Sequence, residues 1–433
     1  MGEDLLRGAL LQQLSIGHEH HVVRHLLGKA HLVGKANATA NPDLKWEKVK
    51  LGEVTESCLG KMLDQKKNKG SYKPYLANVN VRWGFFDLDN LQEMRFEDDE
   101  DEKYGIKYGD LIICEGGEPG RCAIWKEQIP NMKIQKALHR VRVHDIMDFR
   151  FVYYWFLLAG KQGALKQYYT GATIMHMPGQ KLKEVLIDKP PLIVQQRIGA
   201  YLETFDNLIE NNQKQIKLLE EAAQRLYKEW FVDLRFPGYE NCKIVDGVPV
   251  EWKKKKLDEI ADVIMGQSPK SEFYNKEHKG LPFHQGVGSY GARFVQDDTY
   301  STSFTKVAEA NSILFSVRAP VGRLNITKNK IVIGRGIAAI NSKSGFQSYL
   351  FYALKERFFK DDILGNGAIF ASISKNELLN QVFVIPDAKI MSAYEKIAAA
   401  LDKKIEVVDM QLQQLVEARD RLLPKLMNGE IEV

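Results

Sequence analysis

The chain has 433 residues, enough for two or three domains that each bury a core. It is 44% hydrophobic and 27% charged with a net charge of only +5, which is typical of globular proteins and excludes a disordered chain. No apolar stretch is long enough for a bilayer, no signal-peptide pattern opens the chain, and its four cysteines form no CxxC pair, so we predict a cytoplasmic protein with no membrane contact and no cysteine zinc site.

Residues 1–45 are predicted to be an N-terminal extension of uncertain role. Five of the ten histidines fall between His18 and His31, and His18, His21 and His25 would share one helical face. Metal binding is one interpretation of this spacing. Because no cysteine accompanies the histidines, we favour a solvent-facing or tag-like extension and predict no metal site.

The rest of the chain contains one large duplication. Trp46–Val54 (WEKVKLGEV) resembles Trp252–Ile260 (WKKKKLDEI), and GDLIICEGGEPGR, which ends at Arg121, resembles NSILFSVRAPVGR, which ends at Arg323. From Gly171 and Gly367 onward the two copies align at a constant offset. Short β-branched runs bounded by Gly, Pro and Asn predict strands, and two longer runs predict helices, so each copy is an α+β unit.

Each copy ends in a segment with the apolar spacing of a coiled coil. Apolar residues recur in alternating steps of four and three, which predicts two long helices that pack on each other. A buried Asn in such a seam is expected to set the register of the two helices. Arg419 is the one basic residue that interrupts the apolar seam. The predicted packing positions are Ile198, Leu202, Phe205, Ile209, Asn212, Ile216, Leu219 and Leu226 in the first helix and Leu401, Ile405, Val408, Leu412, Leu415 and Leu422 in the second.

We therefore predict an α+β fold with two similar globular domains separated by two long antiparallel helices that form a coiled coil, a pseudo-twofold internal repeat. The predicted segments are an extension at 1–45, a first domain at 46–191, a first long helix at 192–240, a linker at 241–251, a second domain at 252–386 and a second long helix at 387–433.

Positive charge is distributed unevenly between the two globular domains. The first has 23 basic and 21 acidic residues, whereas the second has 19 and 12. The basic excess of the second domain favours a polyanionic partner.

Both domains also carry matched clusters in which bases alternate with aromatic and amide side chains. Bases neutralise phosphates, while amides and Arg can read base edges, so these clusters predict contact with double-stranded DNA. The candidates are Lys66, Lys67, Lys69, Tyr72, Lys73, Asn78, Asn80 and Arg82 in the first domain and Gln267, Lys270, Tyr274, Gln285, Tyr290 and Arg293 in the second. For any single residue, an ordinary polar loop is the alternative.

Motifs for catalysis are poorly represented. One GxGxxG occurs at Gly286–Gly291, but a dinucleotide site needs it between a strand and a helix, and the polar ARFVQDDTY follows instead. The sequence has no GxxxxGK[ST] and no Asn-Pro-Pro-aromatic motif of amino-methylating enzymes. We predict a chain without catalytic residues or a cofactor of its own; a stand-alone, cofactor-binding DNA-modifying enzyme is the alternative.

Several longer phrases resemble the specificity subunit of type I restriction-modification systems. They are GDLIICEGGEPGRCAI, SVRAPVG followed by IGRGIAAI, PLIVQQRIGAYLETFDNLIENNQKQIKLLEEAAQRLYKEWFVDLRFPGYE and LLPKLMNGEI. The resemblance covers residues 46–433 and leaves residues 1–45 outside.

This resemblance implies a DNA-binding subunit with two target recognition domains, each reading half of a split, asymmetric DNA target. It also implies that the long helices set the spacing and dock two methyltransferase subunits, which restriction subunits join. S-adenosylmethionine, ATP and magnesium are then expected on these partners, and the complex would act as a DNA adenine methyltransferase and endonuclease. A coiled-coil adaptor that does not bind DNA is a further alternative.

Overall fold

The computed structural model describes residues 46–64, 66–359 and 372–431, so the predicted extension at 1–45 and its histidines lie outside the described residues. The chain divides into two units. Unit 1 contains the chain up to Gln213 and from Asp409 onward, and unit 2 contains Lys214–Val408. Within the described residues, no helix is both long enough and apolar enough to cross a membrane.

Unit 1 contains nine strands and four shorter helices among its described residues. The strands are β1 (Glu47–Lys50), β2 (Thr55–Leu59), β3 (Ser71–Leu76), β4 (Gln92–Phe96), β5 (Leu111–Cys114), β6 (Cys122–Ile124), β7 (Lys133–Ile134), β8 (Leu138–Val143) and β9 (Leu186–Lys189). The helices are α1 (Leu51–Val54), α2 (Asp101–Tyr104), α3 (Phe149–Gln162) and α4 (Gly179–Lys183).

A first long helix, α5 (Leu192–Tyr227), follows β9 and continues into a π-helical turn at Lys228–Val232, where the helical part of the predicted segment 192–240 ends. The strands of unit 2 are β10 (Ile244–Val245), β11 (Val248–Pro249), β12 (Lys253–Lys256), β13 (Ala261–Met265), β14 (Tyr274–Asn275), β15 (Leu281–His284), β16 (Tyr300–Ser301), β17 (Val307–Ala308), β18 (Ile313–Ser316), β19 (Leu324–Ile326), β20 (Ile331–Ile333), β21 (Ile337–Ser342) and β22 (Val382–Ile385). Its helices are α6 (Leu257–Ile260), α7 (Gln347–Phe359), α8 (Lys375–Leu379) and the second long helix, α9 (Ala388–Met427).

The two units share one sheet topology, which explains the sequence repeat. An antiparallel sheet has the order β2-β8-β5-β6 in unit 1 and β13-β21-β18-β19 in unit 2. A second sheet contains one parallel pair in each unit, β3 with β7 and β15 with β20. A two-stranded ribbon, β1 with β9 or β12 with β22, joins the beginning of each domain to the strand before its long helix.

Strand β5 is entirely apolar because both faces of its sheet are buried. Leu111 and Ile113 belong to the cluster that packs on α3, whereas Ile112 and Cys114 belong to a cluster on the opposite face. Strand β18 repeats this arrangement in unit 2. A continuous apolar run is the expected signature of a strand covered on both sides.

In each unit, the long helices pack against the globular part and against each other. Unit 1 places Leu202 and Phe205, near the start of α5, in one cluster with Leu422 and Leu426, near the end of α9. Unit 2 pairs the other halves, with the end of α5 and the start of α9 in one cluster. Within each unit the helices therefore run antiparallel. The predicted α+β fold class is confirmed.

Most of the predicted packing positions lie in the interior. Those that are buried are Ile198, Leu202, Phe205, Ile209, Asn212, Ile216, Ile405, Val408, Leu415 and Leu422, and those that are partly buried are Leu219, Leu226, Leu401 and Leu412. The side-chain nitrogen of Asn212 is buried and makes no hydrogen bond within the described residues. Its proposed role in setting the register stays a prediction.

A partly buried carboxylate holds the globular part of unit 1 to the long helices. Asp206 of α5 accepts a hydrogen bond of 2.8 Å from the Tyr154 hydroxyl of α3 and one of 2.7 Å from Arg419 of α9. The apparent basic interruption of the seam is thus the partner of this carboxylate.

Unit 2 has the same arrangement of side chains at the equivalent position of α9. Asp402 of α9 accepts a hydrogen bond of 2.8 Å from the Tyr352 hydroxyl of α7. Here the guanidinium comes from Arg293, in the loop after β15, whose Nη2 lies 2.5 Å from the same carboxylate oxygen.

Replacing either carboxylate is expected to destabilise its unit. Asp402→Asn removes the hydrogen-bonded carboxylate of the buried Arg293, whose other carboxylate, Glu220, lies 3.8 Å away, and Asp206→Asn leaves Arg419 paired with Asp420 alone. Because both aspartates are partly exposed, we expect a loss of about 1–3 kcal/mol for each, less than for a fully buried ion pair. We expect a lower urea midpoint for both variants. Hydrogen exchange should assign the loss to unit 1 for the first variant and to unit 2 for the second.

The matched control is Glu309→Gln, which removes an ion pair with Lys330 whose two side chains are largely exposed. Such pairs contribute about 0–1 kcal/mol. If the two aspartate variants lose no more stability than this control, the carboxylates do not hold the units together.

Candidate nucleic-acid interface

The first predicted cluster begins with a loop of lysines that precedes β3. Lys66, Lys67 and Lys69 are exposed, and the amine of Lys67 lies 3.7 Å from Asp64. The backbone nitrogens of Lys66 and Lys67 donate to the same Asp64 side chain, which shapes the loop. The lysine side chains remain accessible to a polyanion.

The hairpin formed by β3 and β4 adds an aromatic side chain beside these lysines. Tyr72 is 63% exposed, and the guanidinium of Arg95, opposite it on β4, lies 5.2 Å from the centre of its ring. Arg95 was not among the predicted contacts. Its alternation with the buried Met94 and Phe96 in β4 is the signal that marks it as outward-facing.

Other predicted contacts of unit 1 are used within the protein. The Lys73 amine lies 2.8 Å from Asp101 and 3.6 Å from Asp98. The hydrogen bond to Asp101 raises the pKa of Lys73 above its usual value. Lys73 therefore lies between carboxylates and offers little net charge to a phosphate.

The two asparagines hold loops. The Asn78 side chain donates to the carbonyl of Gly116 and accepts a hydrogen bond from Arg121 at 3.2 Å. Asn80 is buried, accepts from the backbone of Ala77 and donates to the carbonyl of residue 87. Their amide groups are thus engaged in internal hydrogen bonds.

Arg82 is partly exposed and lies 3.8 Å from Asp87. This separation corresponds to a loose surface ion pair, which a phosphate can replace at low cost.

In unit 2, the structure brings Gln267 and Gln285 together. The Ser268 hydroxyl donates to the Gln285 side-chain oxygen at 2.7 Å, and both glutamines are exposed. Amide side chains of this kind present donors and acceptors in a fixed arrangement, which suits the reading of base edges.

Lys270 and Tyr274 follow Gln267 in the chain, before β15. Lys270 is 82% exposed and lies 3.8 Å from Glu272. The Tyr274 hydroxyl donates to the carbonyl of Pro269, and its ring stacks on Phe283 with centroids 4.6 Å apart. Lys270 is therefore available to a partner, whereas Tyr274 mainly supports the loop.

The last two predicted contacts lie in the interior. Arg293 is 3% exposed because it pairs with Asp402 and stacks on Phe351, with 3.8 Å between guanidinium and ring centre. The Tyr290 hydroxyl is also buried, and it has no hydrogen-bond partner among the described residues. The structure gives both side chains a role in holding the loop.

The GxGxxG segment at Gly286–Gly291 does not have the setting that a dinucleotide site needs. It forms a single 3-10 turn at Val287–Ser289 and leads into an extended bridge at Tyr290, with no helix after it. His284 holds this loop, with one ring nitrogen 2.8 Å from the Ser289 hydroxyl and the other 2.9 Å from Asp297. The glycines build a surface loop.

Each unit contains a junction where three backbone segments meet, and we call it the glycine junction. In unit 1, the nitrogen of Gly60 donates to the carbonyl of Leu138, and that of Lys61 donates to the carbonyl of Ile134. In unit 2, Gly266 and Gln267 donate in the same way to Ile337 and Ile333. Side chains on the connection from β7 to β8, or from β20 to β21, are thereby fixed in space.

The glycine junction presents one basic side chain in each unit. These residues are Lys136, between β7 and β8, and Arg335, between β20 and β21. Both are exposed, and neither side chain makes a hydrogen bond or ion pair within the described residues. Arg335 lies beside Gln285, whose backbone carbonyl accepts from the nitrogen of Gly336. Neither residue was among the predicted contacts, although Arg335 lies in the phrase IGRGIAAI.

In the part of the chain that the structure describes, no group of three or more His, Cys, Asp or Glu side chains is arranged to hold a metal ion. All four cysteines are free thiols. What the structure offers instead is a set of exposed cations and amides.

A family model described as type I restriction modification DNA specificity domain matches this chain twice, at residues 43–221 and 249–417. Among curated proteins, a putative type I restriction enzyme MjaX specificity subunit of Methanocaldococcus jannaschii is 35% identical over 259 residues. That alignment covers 58% of this chain and 61% of the relative, so the chain spans less than two thirds of this relative's length.

Two further matches cover more of the chain. The type I restriction enzyme MjaVIII specificity subunit of the same organism is 26% identical over 416 residues, 90% of this chain and 93% of the relative. The crystal structure of a type I restriction-modification S subunit from M. genitalium has a TM-score of 0.56 at 19% identity, covering 89% of this chain and 97% of the other. The structural match supports the fold.

The glycine junction yields a prediction about stability. A Cβ at Gly60 would lie 2.4 Å from the carbonyl oxygen of Gln135, and one at Gly266 would lie 2.2 Å from that of Gly334. Because backbone must move in both cases, Gly60→Ala and Gly266→Ala should each destabilise their unit by about 1–3 kcal/mol, as overpacking does. Urea unfolding measures this loss.

Gly288→Ala is the matched control, since nothing lies within 4 Å of the added Cβ. It should unfold at the wild-type midpoint or slightly above it. Equal stability of all three variants would show that the junction is not tightly packed.

Proposed function

Since the chain belongs to the family of type I restriction-modification DNA specificity domains and carries two copies of the domain, we propose that it is the DNA-specificity subunit of such a system. Each globular domain acts as a target recognition domain that reads one half of a split DNA target. The chain has no catalytic role of its own in this proposal.

One observation carries the proposal. The glycine junction, built from the same backbone hydrogen bonds in both repeats, presents a different basic side chain in each, Lys136 in one and Arg335 in the other. Two domains that recognise different DNA sequences need a common backbone scaffold that carries a different outward-facing side chain in each. Arg pairs with guanine through two hydrogen bonds, whereas Lys acts as a point charge.

Phosphate contacts come from the exposed cations around each junction. Lys66, Lys67 and Lys69 lie in the loop before β3, and Lys270 lies in the corresponding loop of unit 2. Such contacts position a protein on the duplex without reading bases. The half-sites are read by Gln267, Gln285 and Arg335 in unit 2, and by Arg82 and Lys136 in unit 1.

Residues that form hydrogen bonds inside the protein support these base-contacting side chains. Asn78 and Asn80 hold the loop of unit 1, and Arg293 holds the loop of unit 2. In this proposal they affect recognition through loop geometry.

The proposed complex contains further subunits. Exposed apolar side chains on α5 and α9, among them Leu218 and Ile397, provide contact area for two methyltransferase subunits, which restriction subunits join. S-adenosylmethionine, ATP and magnesium belong to those partners, and the assembled complex acts as a DNA adenine methyltransferase and endonuclease. The target is asymmetric because the two recognition surfaces differ.

The lysine loop should supply affinity without specificity. In the triple variant Lys66→Ala, Lys67→Ala and Lys69→Ala, binding should weaken for every duplex, and the slope of log affinity against log salt should fall by about 0.9 for each phosphate that is no longer neutralised. The measurement is binding of the full chain, with its methyltransferase partner, to a duplex library at several salt concentrations. A wild-type salt slope in this variant contradicts the assignment.

Arg335 and Lys136 should each determine one half-site. Arg335→Ala should relax base choice in one half of the target, at about 1–3 kcal/mol for removal of a bidentate hydrogen-bonded pair, and leave the other half unchanged. Lys136→Ala should affect the other half. Lys330→Ala, an exposed lysine paired with Glu309, is the control and should change neither.

The same duplex library tests the proposed function as a whole. We expect a preferred target made of two separate half-sites. Tight binding with no sequence preference would refute the proposed function. No binding at low salt would also refute it and would favour the adaptor alternative.

A further inference from the structure

Unit 2 contains a cavity of about 380 Å³ between the recognition loop, the strand connection before β19, helix α7 and the end of α5. Polar side chains in its lining are Glu220, Tyr290, Arg293, Arg323 and Lys355. The cavity is therefore large enough for a small polar ligand and is lined by more donors than acceptors.

Three of these donors lack an acceptor. The Tyr290 hydroxyl and Nη1 of Arg293 are buried atoms with no hydrogen-bond partner among the described residues. The amine of Lys355 likewise forms no hydrogen bond or ion pair within the described part of the chain. The buried Tyr290 hydroxyl and Nη1 of Arg293 are costly to leave unpaired, so these two atoms indicate a missing acceptor.

The carboxylate in the cavity does not remove this deficit. Glu220 lies 3.8 Å from Nη1 of Arg293, beyond hydrogen-bond distance, and the second carboxylate, Asp402, is already engaged by Nη2 of Arg293 and by Tyr352. Burial raises the pKa of the Glu220 carboxyl, against the opposite effects of Arg293 and Lys355. Burial also lowers the pKa of the Lys355 amine, with Arg293 acting in the same direction and Glu220 and Asp402 in the opposite one. Both side chains are thus partly removed from water.

We propose that this cavity binds a phosphate group, which accepts hydrogen bonds from Lys355, Tyr290 and Nη1 of Arg293. A phosphate has enough acceptor oxygens for all three donors, and its charge would compensate Lys355. The group comes either from the DNA backbone, in which case the inference rests on the proposed function, or from free phosphate in solution.

Unit 1 lacks the equivalent lysine. Tyr154 and Tyr352 occupy matching positions, since each donates to the long-helix aspartate of its unit. The residue three positions after this tyrosine is Lys355 in unit 2 and Leu157 in unit 1. Leu157 is buried in the core of unit 1. The phosphate site is therefore a feature of the second repeat, which also carries the larger positive charge.

The first arm of the test uses inorganic phosphate on the full chain without DNA. Isothermal titration and thermal unfolding at matched ionic strength, with chloride as reference, should give saturable binding and a raised Tm for wild type. Lys355→Met should weaken binding about tenfold or more, as expected for loss of one charged hydrogen bond. Tyr290→Phe should weaken it severalfold while keeping the ring in place.

The control for both variants is Lys330→Met, which lies outside the cavity and should bind phosphate as wild type does. Thermal unfolding in chloride alone reports whether Lys355→Met or Tyr290→Phe remains folded. If one of them does not fold, the other carries the comparison.

The second arm measures duplex binding at several salt concentrations with the same variants. If the phosphate belongs to the DNA backbone, Lys355→Met reduces the salt slope by about 0.9, and inorganic phosphate competes with the duplex. An unchanged slope together with phosphate binding assigns the cavity to free phosphate. If wild type shows neither saturable phosphate binding nor a Lys355-dependent salt slope, the proposal is overturned.

The two arms separate this inference from the proposed function. A chain that binds phosphate but no duplex retains the cavity site and loses the DNA-specificity role. A chain that binds duplex with sequence preference, but shows no effect of Lys355 in either arm, retains the role and loses the site.

Discussion

The structure of each unit depends on one partly buried carboxylate of a long helix. Asp206 and Asp402 occupy equivalent positions in the repeat, and each accepts a hydrogen bond from a tyrosine of the domain helix and forms an ion pair with an arginine. Because a partly buried carboxylate that loses these partners costs stability, the domain helix, the long helix and the arginine stabilise one another. This requirement fixes how each domain packs on its own part of the helices.

The two repeats satisfy this requirement differently. In unit 1 the arginine is Arg419, from the other long helix, and the recognition loop is not involved. In unit 2 it is Arg293, from the loop itself, and Ala223 stands where the repeat would place an arginine on the helix. The loop of unit 2 is thus fastened to α9. The opposite exchange occurs at the start of the domain helix, where Asp148 caps α3 locally in unit 1 but Glu395 of the long helix α9 caps α7 in unit 2.

The sequence was sufficient for the repeat, the α+β class and the two helices, because these rest on periodic patterns of apolar residues. It did not reveal the contacts of Arg293 or Asn80, since loop residues that bond to the protein interior have the same composition as loop residues that bond to DNA. Lys136 was missed for the opposite reason. Its nearest neighbours in the sequence include no Phe, Tyr or Trp, and the backbone pairing of Lys61 with Ile134 shows that it is presented outward.

The glycine junction explains how one fold can serve two different recognition surfaces. Its hydrogen bonds involve only backbone atoms, so they place no demand on the side chain at Lys136 or Arg335. The close approach of Gly60 and Gly266 to neighbouring carbonyls restricts those two positions instead. In the glycine junction, the two glycines are therefore sterically constrained, whereas the outward-facing basic residues can differ. Side chains that face outward can change without a loss of stability, and a change in what is read need not alter how the domain is held on its helices.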